Sequence, residues 1–405
     1  MNEASRQKIF FILIASLVVI LPIANLPAVR SALFIAPAIV WIYGMVVERR
    51  WNIRRTPMDL PLLLFFAAIV VSIFTSMKPE LSIDELRKEF LTYTLVFYMV
   101  AHMITDDEKI VNMVKALVLA SIAMALYGIT EFYYMGGSIF GLNYRAGSLH
   151  QGFEAYAQYI IMVLPFAAAG LVYAARQGLK GALIWAVAAV ALNLFALYLT
   201  HTRGAWIALW VEMFLLSFLL IKGVRVRLII AILLVILPIA AFKLLPESVV
   251  WHGSKGLDIP EQNVITNTGS ARLKVWQGAF KGVVDEPFKG AGYGRTNFRR
   301  RFPGPEFLGF DQAHNSFVNV TVQLGVQGLF ALLFIIGALF HACWTVYRRG
   351  EDRFRTHFAS AVIIMTAGFF TANMFAEFYI DDTALMFWIF AALVVSVYKR
   401  PVGES

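Results

Sequence analysis

GALIWAVAAVALNLFALYLTHTRGAWIALWVEMFLLSFLLI, residues 181–221, holds two apolar runs, 181–199 and 204–221, parted by Thr200, His201, Thr202 and Arg203. Each run has about the 18–22 residues that carry an α-helix across a bilayer. They read as two membrane helices joined by a short polar turn. Similar runs lie near 10–26, 31–47, 60–75, 91–104, 111–132, 155–175, 227–244, 316–346, 357–375 and 383–398. The expected fold is an all-α integral membrane protein of about 12 transmembrane helices, a single polytopic domain over residues 1–405. Composition agrees. Charged residues make up 15% of the chain, against about 25% in a soluble domain, and 59% is hydrophobic. The first run lacks a small-residue cleavage site and reads as a retained span, not a removed signal peptide.

The net charge of +9 does not imply nucleic acid, because the basic residues fall between apolar runs and not on one face. Alternate short loops are rich in them: Arg49, Arg50, Arg54 and Arg55; Arg176 and Lys180; Lys222, Arg225 and Arg227; Arg348, Arg349, Arg353 and Arg355. The intervening short loops carry few. By the positive-inside rule both termini are cytoplasmic, and the poorly charged loops are outside. The sole cysteine, Cys343, excludes an internal disulfide and a multi-cysteine metal site.

One long outer loop, 245–313, separates spans 9 and 10. Within it Leu273, Trp276, Phe280 and Val284 recur at helical spacing, Ser270 is an N-cap candidate, and Pro287 with the glycines at 290, 292 and 294 ends the pattern. An amphipathic helix over the outer mouth of the bundle is expected. Gly290, Gly292 and Gly294 do not make a nucleotide loop, since no strand precedes them.

Chemistry concentrates around His314-Asn315, which nine residues separate from Gly325, with Gly328 beyond. On one continuous helix, His314 and both glycines share a face, with Gly325 about 16 Å deeper. That arrangement makes His314 a reactive tip on a helix packed closely through its glycines. Alone, such a histidine more often just bonds a loop carbonyl at the interface. Arg145, Arg203 and Arg272 all reach the outer surface, and guanidinium forks suit a diphosphate. The competing explanation, snorkelling to lipid headgroups, fits Arg30 and Arg87 better. Arg299, Arg300 and Arg301 read as a solvated or headgroup-facing patch. Glu377, Asp381 and Asp382 either support His314, hold an acceptor, or cap the last span. Glu154 is placed to pair with an arginine. His150, His201 and His252 show no metal-site spacing.

Together, His314-Asn315, nine residues, then Gly325-Val326-Gln327-Gly328 resembles the signature of the O-antigen ligases, within the O-antigen ligase and polymerase superfamily. Thr202-Arg203-Gly204-Ala205-Trp206, Arg272-x-x-x-Trp276 and Pro287 with the three glycines add to the likeness. The resemblance implies a metal-independent, cofactor-free, inverting glycosyl transfer at the periplasmic face of a bacterial inner membrane. The donor is a glycan on undecaprenyl diphosphate, and the acceptor is a sugar hydroxyl of lipid A–core. His314 is then the general base. Arg145, Arg203 and Arg272 hold the diphosphate, while Asn315, Gly325 and Gly328 support the site. The nearest alternatives are an O-antigen or exopolysaccharide polymerase and a protein O-oligosaccharyltransferase. A 12-span transporter or flippase ranks below them, because the span interiors are nearly uncharged.

Overall fold

The computed structural model describes residues 2–48, 54–139, 144–150, 152–221, 223–244, 269–302, 312–350, 352–376 and 381–398. His252, Glu377 and the stretches 245–268 and 303–311 of the long loop lie outside them. The described residues are helical and contain no strand. In chain order the helices are α1 (Glu3–Ile20), α2 (Pro27–Glu48), α3 (Asp59–Thr75), α4 (Pro79–Glu85), α5 (Thr92–Met103), α6 (Asp107–Tyr134), α7 (Phe153–Gln177), α8 (Lys180–Leu199) and α9 (Arg203–Leu219). Then come α10 (Val224–Leu244), α11 (Gly269–Asp285), α12 (Thr296–Arg301), α13 (Ser316–Leu324), α14 (Val326–Arg349), α15 (Arg353–Ala372) and α16 (Asp381–Tyr398). Helices α2, α6, α7, α8 and α14 are long and apolar enough to cross a membrane, and α3 and α16 are shorter apolar helices. All-helical construction is what a bilayer demands, because a helix satisfies its own backbone hydrogen bonds.

Packing is centred on α7, α15 and α16. α7 lies against α8 and α15, α15 against α9 and α14, and α16 against α5. Phe166, Phe369, Phe387 and Phe390 are buried here, and the Phe369 and Phe387 rings stack with centroids 5.1 Å apart. In lipid, such contacts stabilise through van der Waals fit, since leaving them gains no water contact. α2 instead turns Ile35, Ile39, Ile42 and Val46 outward.

Polar contacts sort the connecting segments into two ends. At one end Ala24 N donates to Leu149 O (2.8 Å), Ala146 N to Leu199 O (2.9 Å) and Ser316 N to Asn373 O (2.9 Å). Arg30 and Asp382 form a half-buried ion pair there. At the other end Arg355 pairs with Asp107 at 2.9 Å, Lys109 donates to Gln7 at 3.1 Å and Arg349 to Tyr398 O at 2.7 Å. Arg30 is therefore no headgroup snorkel, and Asp382 answers it. Arg87, in contrast, is exposed and pairs with Asp84 one turn away.

Three sequence expectations need correction. The run near 91–104 starts earlier: α4 continues through a π-helical turn, Leu86–Leu91, into α5. Ser270 lies inside the first turn of α11, not ahead of it. Most consequential, the run 316–346 is two helices. Gly325 ends α13 with φ 77° and ψ −178°, and α14 starts at Val326. His314 and the glycines thus share no helix face. A Cβ at Gly328 would meet the Leu324 side chain at 2.2 Å, so both glycines serve the break and not a neighbouring helix.

A glycine-rich strap seals that break. The last carbonyls of a helix have no partner within it. Here Ala291 N donates to Val322 O (2.9 Å) and Gly292 N to Gln323 O (3.1 Å), while Val326 N donates to Pro287 O (2.9 Å). Gln327 Nε2 reaches Phe288 O at 3.0 Å. A Cβ on Gly290 would sit 2.3 Å from Gln323 O, so only glycine allows this approach. Because φ 77° with ψ −178° is a region reserved almost entirely for glycine, Gly325→Ala is expected to cost on the order of 1–3 kcal/mol. Thermal unfolding of the purified variant in detergent measures that loss.

Candidate functional site

His314 stands just ahead of α13 in a left-handed conformation, φ 47°. That conformation is unusual for a non-glycine residue, and it is held from both sides. Asn315 is the N-cap of α13: its Oδ1 accepts from Phe317 N (3.0 Å) and Val318 N (3.2 Å). On the other side Ala313 N donates to Asn319 Oδ1 at 2.8 Å, and Trp276 Nε1 donates to Ala313 O at 2.6 Å. Ser316 N donates to Asn373 O at 2.9 Å. The pairing of histidine with asparagine is thereby explained: the asparagine stops the helix so that the histidine projects from a fixed, non-helical residue.

α11 supplies the matching half. Arg272 and Trp276 are four residues apart, so they share one helix face. Trp276 secures Ala313, while Arg272 Nη1 donates to Phe375 O at 2.8 Å. The turn after α15 therefore binds both the His314 loop, through Asn373, and α11, through Phe375. Gly204 adds α9 to the same turn, since a Cβ there would lie 2.9 Å from Phe375 Cβ. This close approach brings Arg203, the first residue of α9, beside Arg272.

The three arginines are differently employed. Arg203 is exposed and has no hydrogen-bond or ion-pair partner among the described residues. Arg145 donates from Nε to Thr200 O (2.8 Å) and from Nη2 to His201 O (2.9 Å), and its guanidinium carbon lies 3.4 Å from the Phe153 ring centre. Much of its fork thus closes the end of α8, and among the described residues Nη1 has no hydrogen-bond partner. Burial lowers the Arg145 guanidinium to about 10, with Glu154 opposing and Arg203 adding to the shift. Arg272 is lowered by burial as well, and it too feels Glu154 and Arg203. These four charges therefore share one locale, where Glu154 only partly offsets three cations.

Burial, and secondarily Arg272, push the His314 imidazole down to about 4. The ring is neutral at pH 7 and can accept a proton. His150 is separate: it is buried against Tyr156 and Tyr159, with ring centres 4.9 Å away from each. Asp382 belongs to the Arg30 pair. Asp381 begins α16, and Glu377 lies outside the described residues. Sequence reasoning missed Asn373, Phe375 and Asn319, which act through backbone carbonyls or local bonds. Of these, only the Asn319 position, four residues after Asn315 on a helix, could have drawn attention.

Residues 188–333 match the family described as O-Antigen ligase. The match includes Arg203, Arg272, His314, Asn315, Gly325 and Gly328, and Arg145 lies before it. No curated protein matches the chain.

Loss of a side-chain cap costs about 0.5–2 kcal/mol. Asn315→Ala is therefore expected to loosen the start of α13, whereas Asn315→Asp, which still caps, is expected to keep it. Amide hydrogen exchange at Phe317 and Val318 separates the two variants. Equal protection in both would mean that the cap does not hold His314 in place.

Proposed function

We propose that this chain is an O-antigen ligase, which moves a glycan from undecaprenyl diphosphate to a sugar hydroxyl of lipid A–core. In this reading the chain crosses a bacterial inner membrane twelve times, with α13 and α14 as one crossing and both termini in the cytoplasm. The end carrying His314 then faces the periplasm. The observation that carries the reading is a neutral histidine, rigidly presented and within the field of Arg272, with Arg203 close to that arginine, in a segment that matches the O-antigen ligase family.

The chemistry follows from those groups. The acceptor hydroxyl gives its proton to His314 as its oxygen attacks the anomeric carbon. The bond from that carbon to the diphosphate oxygen breaks on the opposite face, which inverts the configuration. Undecaprenyl diphosphate leaves with the bonding electron pair. Arg203, which spends nothing on the protein, takes the growing negative charge, with Arg272 and Nη1 of Arg145 adding to the field. The donor already carries its activation energy in the diphosphate linkage, so no nucleotide is required.

A base depressed to about 4 is weak, and general-base catalysis works best with a value near the working pH. The donor offsets part of this: its diphosphate cancels some of the Arg272 charge, the secondary cause of the depression after burial, so the ring gains basicity to that extent when substrate is seated.

Purified protein in liposomes, supplied with undecaprenyl-diphosphate glycan with and without lipid A–core, tests the assignment. The expected product is glycan on lipid A–core, separated on a gel. His314→Ala is expected to lose transfer, and Arg203→Lys to be impaired, since lysine keeps the charge but not the fork. Longer lipid-linked glycan formed without the acceptor would instead make the chain a polymerase. No transfer in either tube would reopen the transporter reading.

A further inference from the structure

At the end of the bundle opposite His314, a pocket of about 210 Å³ opens where α1, α2, α5 and α16 meet. Arg6, Gln7, Trp41, Arg54, Arg55 and His102 are among its lining residues, and Glu3 is the only acid that lines it among the described residues. Gln7 Nε2 donates to Glu3 at 3.3 Å, so that carboxylate is already engaged. The balance of the pocket is cationic.

Loop charge that merely sets topology needs only surface cations. Arg6 does not fit that description, being 5% exposed. Gly44 makes room for it, since a Cβ there would lie 3.4 Å from Arg6 Nε. The other cations are positioned as well. Arg54 N donates to His102 Nε2 at 2.7 Å, and the other ring nitrogen of His102 lies 2.6 Å from Tyr98 O. Thr56 N, just beyond Arg55, donates to Asp59 at 3.0 Å. The backbone is thus pinned, while the Arg54 and Arg55 side chains are exposed and have no partner among the described residues. Trp41 and Met45 give the pocket an apolar wall, and a separate outward stripe of the same helix, Ile35, Ile39, Ile42 and Val46, is exposed.

We propose that this pocket binds the phosphate of an anionic phospholipid headgroup, with Arg6, Arg54 and Arg55 around the phosphate and the acyl chains along α2. Guanidinium groups suit phosphate oxygens, and basic pockets between membrane helices are a general solution for such headgroups. Free phosphate offers the same charge but makes no use of the apolar wall. The site stands apart from His314 and does not rest on the transfer reaction.

The test uses the full chain, purified in detergent and titrated with phosphatidylglycerol or phosphatidylcholine of identical acyl chains, with bound lipid counted by native mass spectrometry. Phosphatidylglycerol is expected to be retained in preference. Each arginine near a lipid phosphate contributes about 1 kcal/mol, so Arg54→Gln with Arg55→Gln is expected to weaken retention roughly 10–30-fold. Gly44→Val, which narrows the pocket without changing its charge, is also expected to weaken it. Lys180→Gln with Arg225→Gln removes the same charge at the same end but outside the pocket, and is expected to change nothing. Equal retention of the two lipids, or equal loss in the two double variants, overturns the proposal. Displacement of bound lipid by millimolar inorganic phosphate also overturns it, and makes this a site for soluble phosphate.

Discussion

The break at Gly325 is the constraint on which the arrangement depends. An apolar helix interrupted inside a bundle exposes carbonyls and amides that lipid cannot satisfy. The strap from Pro287 to Gly294 satisfies them, and it can do so only because glycine permits the 2.3 Å gap between a would-be Cβ on Gly290 and Gln323 O. Sealing the break ties α11 and α12 to α13. α11 then lies close enough for Trp276 to hold Ala313, next to His314, and for Arg272 to hold Phe375 in the turn after α15. The glycine segment and the histidine loop, distant in purpose when read along the chain, are parts of one device.

Short range and burial together set the electrostatics of the site. Three arginines near one another repel, and Glu154 offsets only part of that charge. Arg145 is held by the carbonyls of Thr200 and His201 and by the Phe153 ring. Arg272 is anchored by Phe375 O. Arg203 has no such anchor, so the attraction it can offer an anion is undiminished. Holding three cations close together, with Arg272 acting on a half-buried imidazole, costs stability. That cost is tolerable because helix packing around α7, α15 and α16, not the site, carries the fold.

Much of the architecture was legible in the apolar runs, because a membrane helix is defined by length and hydropathy, and both are local. The residues proposed for the site stand out in the sequence too, since histidine, arginine and glycine at fixed spacings are conspicuous in an apolar chain. Their arrangement was not. An unbroken apolar run from 316 to 346 hides a break, because the φ of Gly325 depends on a strap that is close in space but earlier in the chain. Arg30 looked like a snorkelling cation because its partner, Asp382, is 352 residues away. Arg145 looked like a free fork because the carbonyls that occupy it belong to the end of another helix. In each case the deciding contact was long-range, and for Gly325 and Arg145 it involved the backbone, which sequence pattern does not record.

The central claim is that His314 is a neutral, half-buried base whose proton affinity responds to a bound diphosphate. Carbon-13 NMR of histidine-labelled protein, with the His314 signal identified by its loss in His314→Gln, measures this directly. The expected titration midpoint is near pH 4 in the donor-free protein, moving upward when undecaprenyl diphosphate is added. A midpoint at the ordinary value of about 6.5, unmoved by the diphosphate, would contradict it.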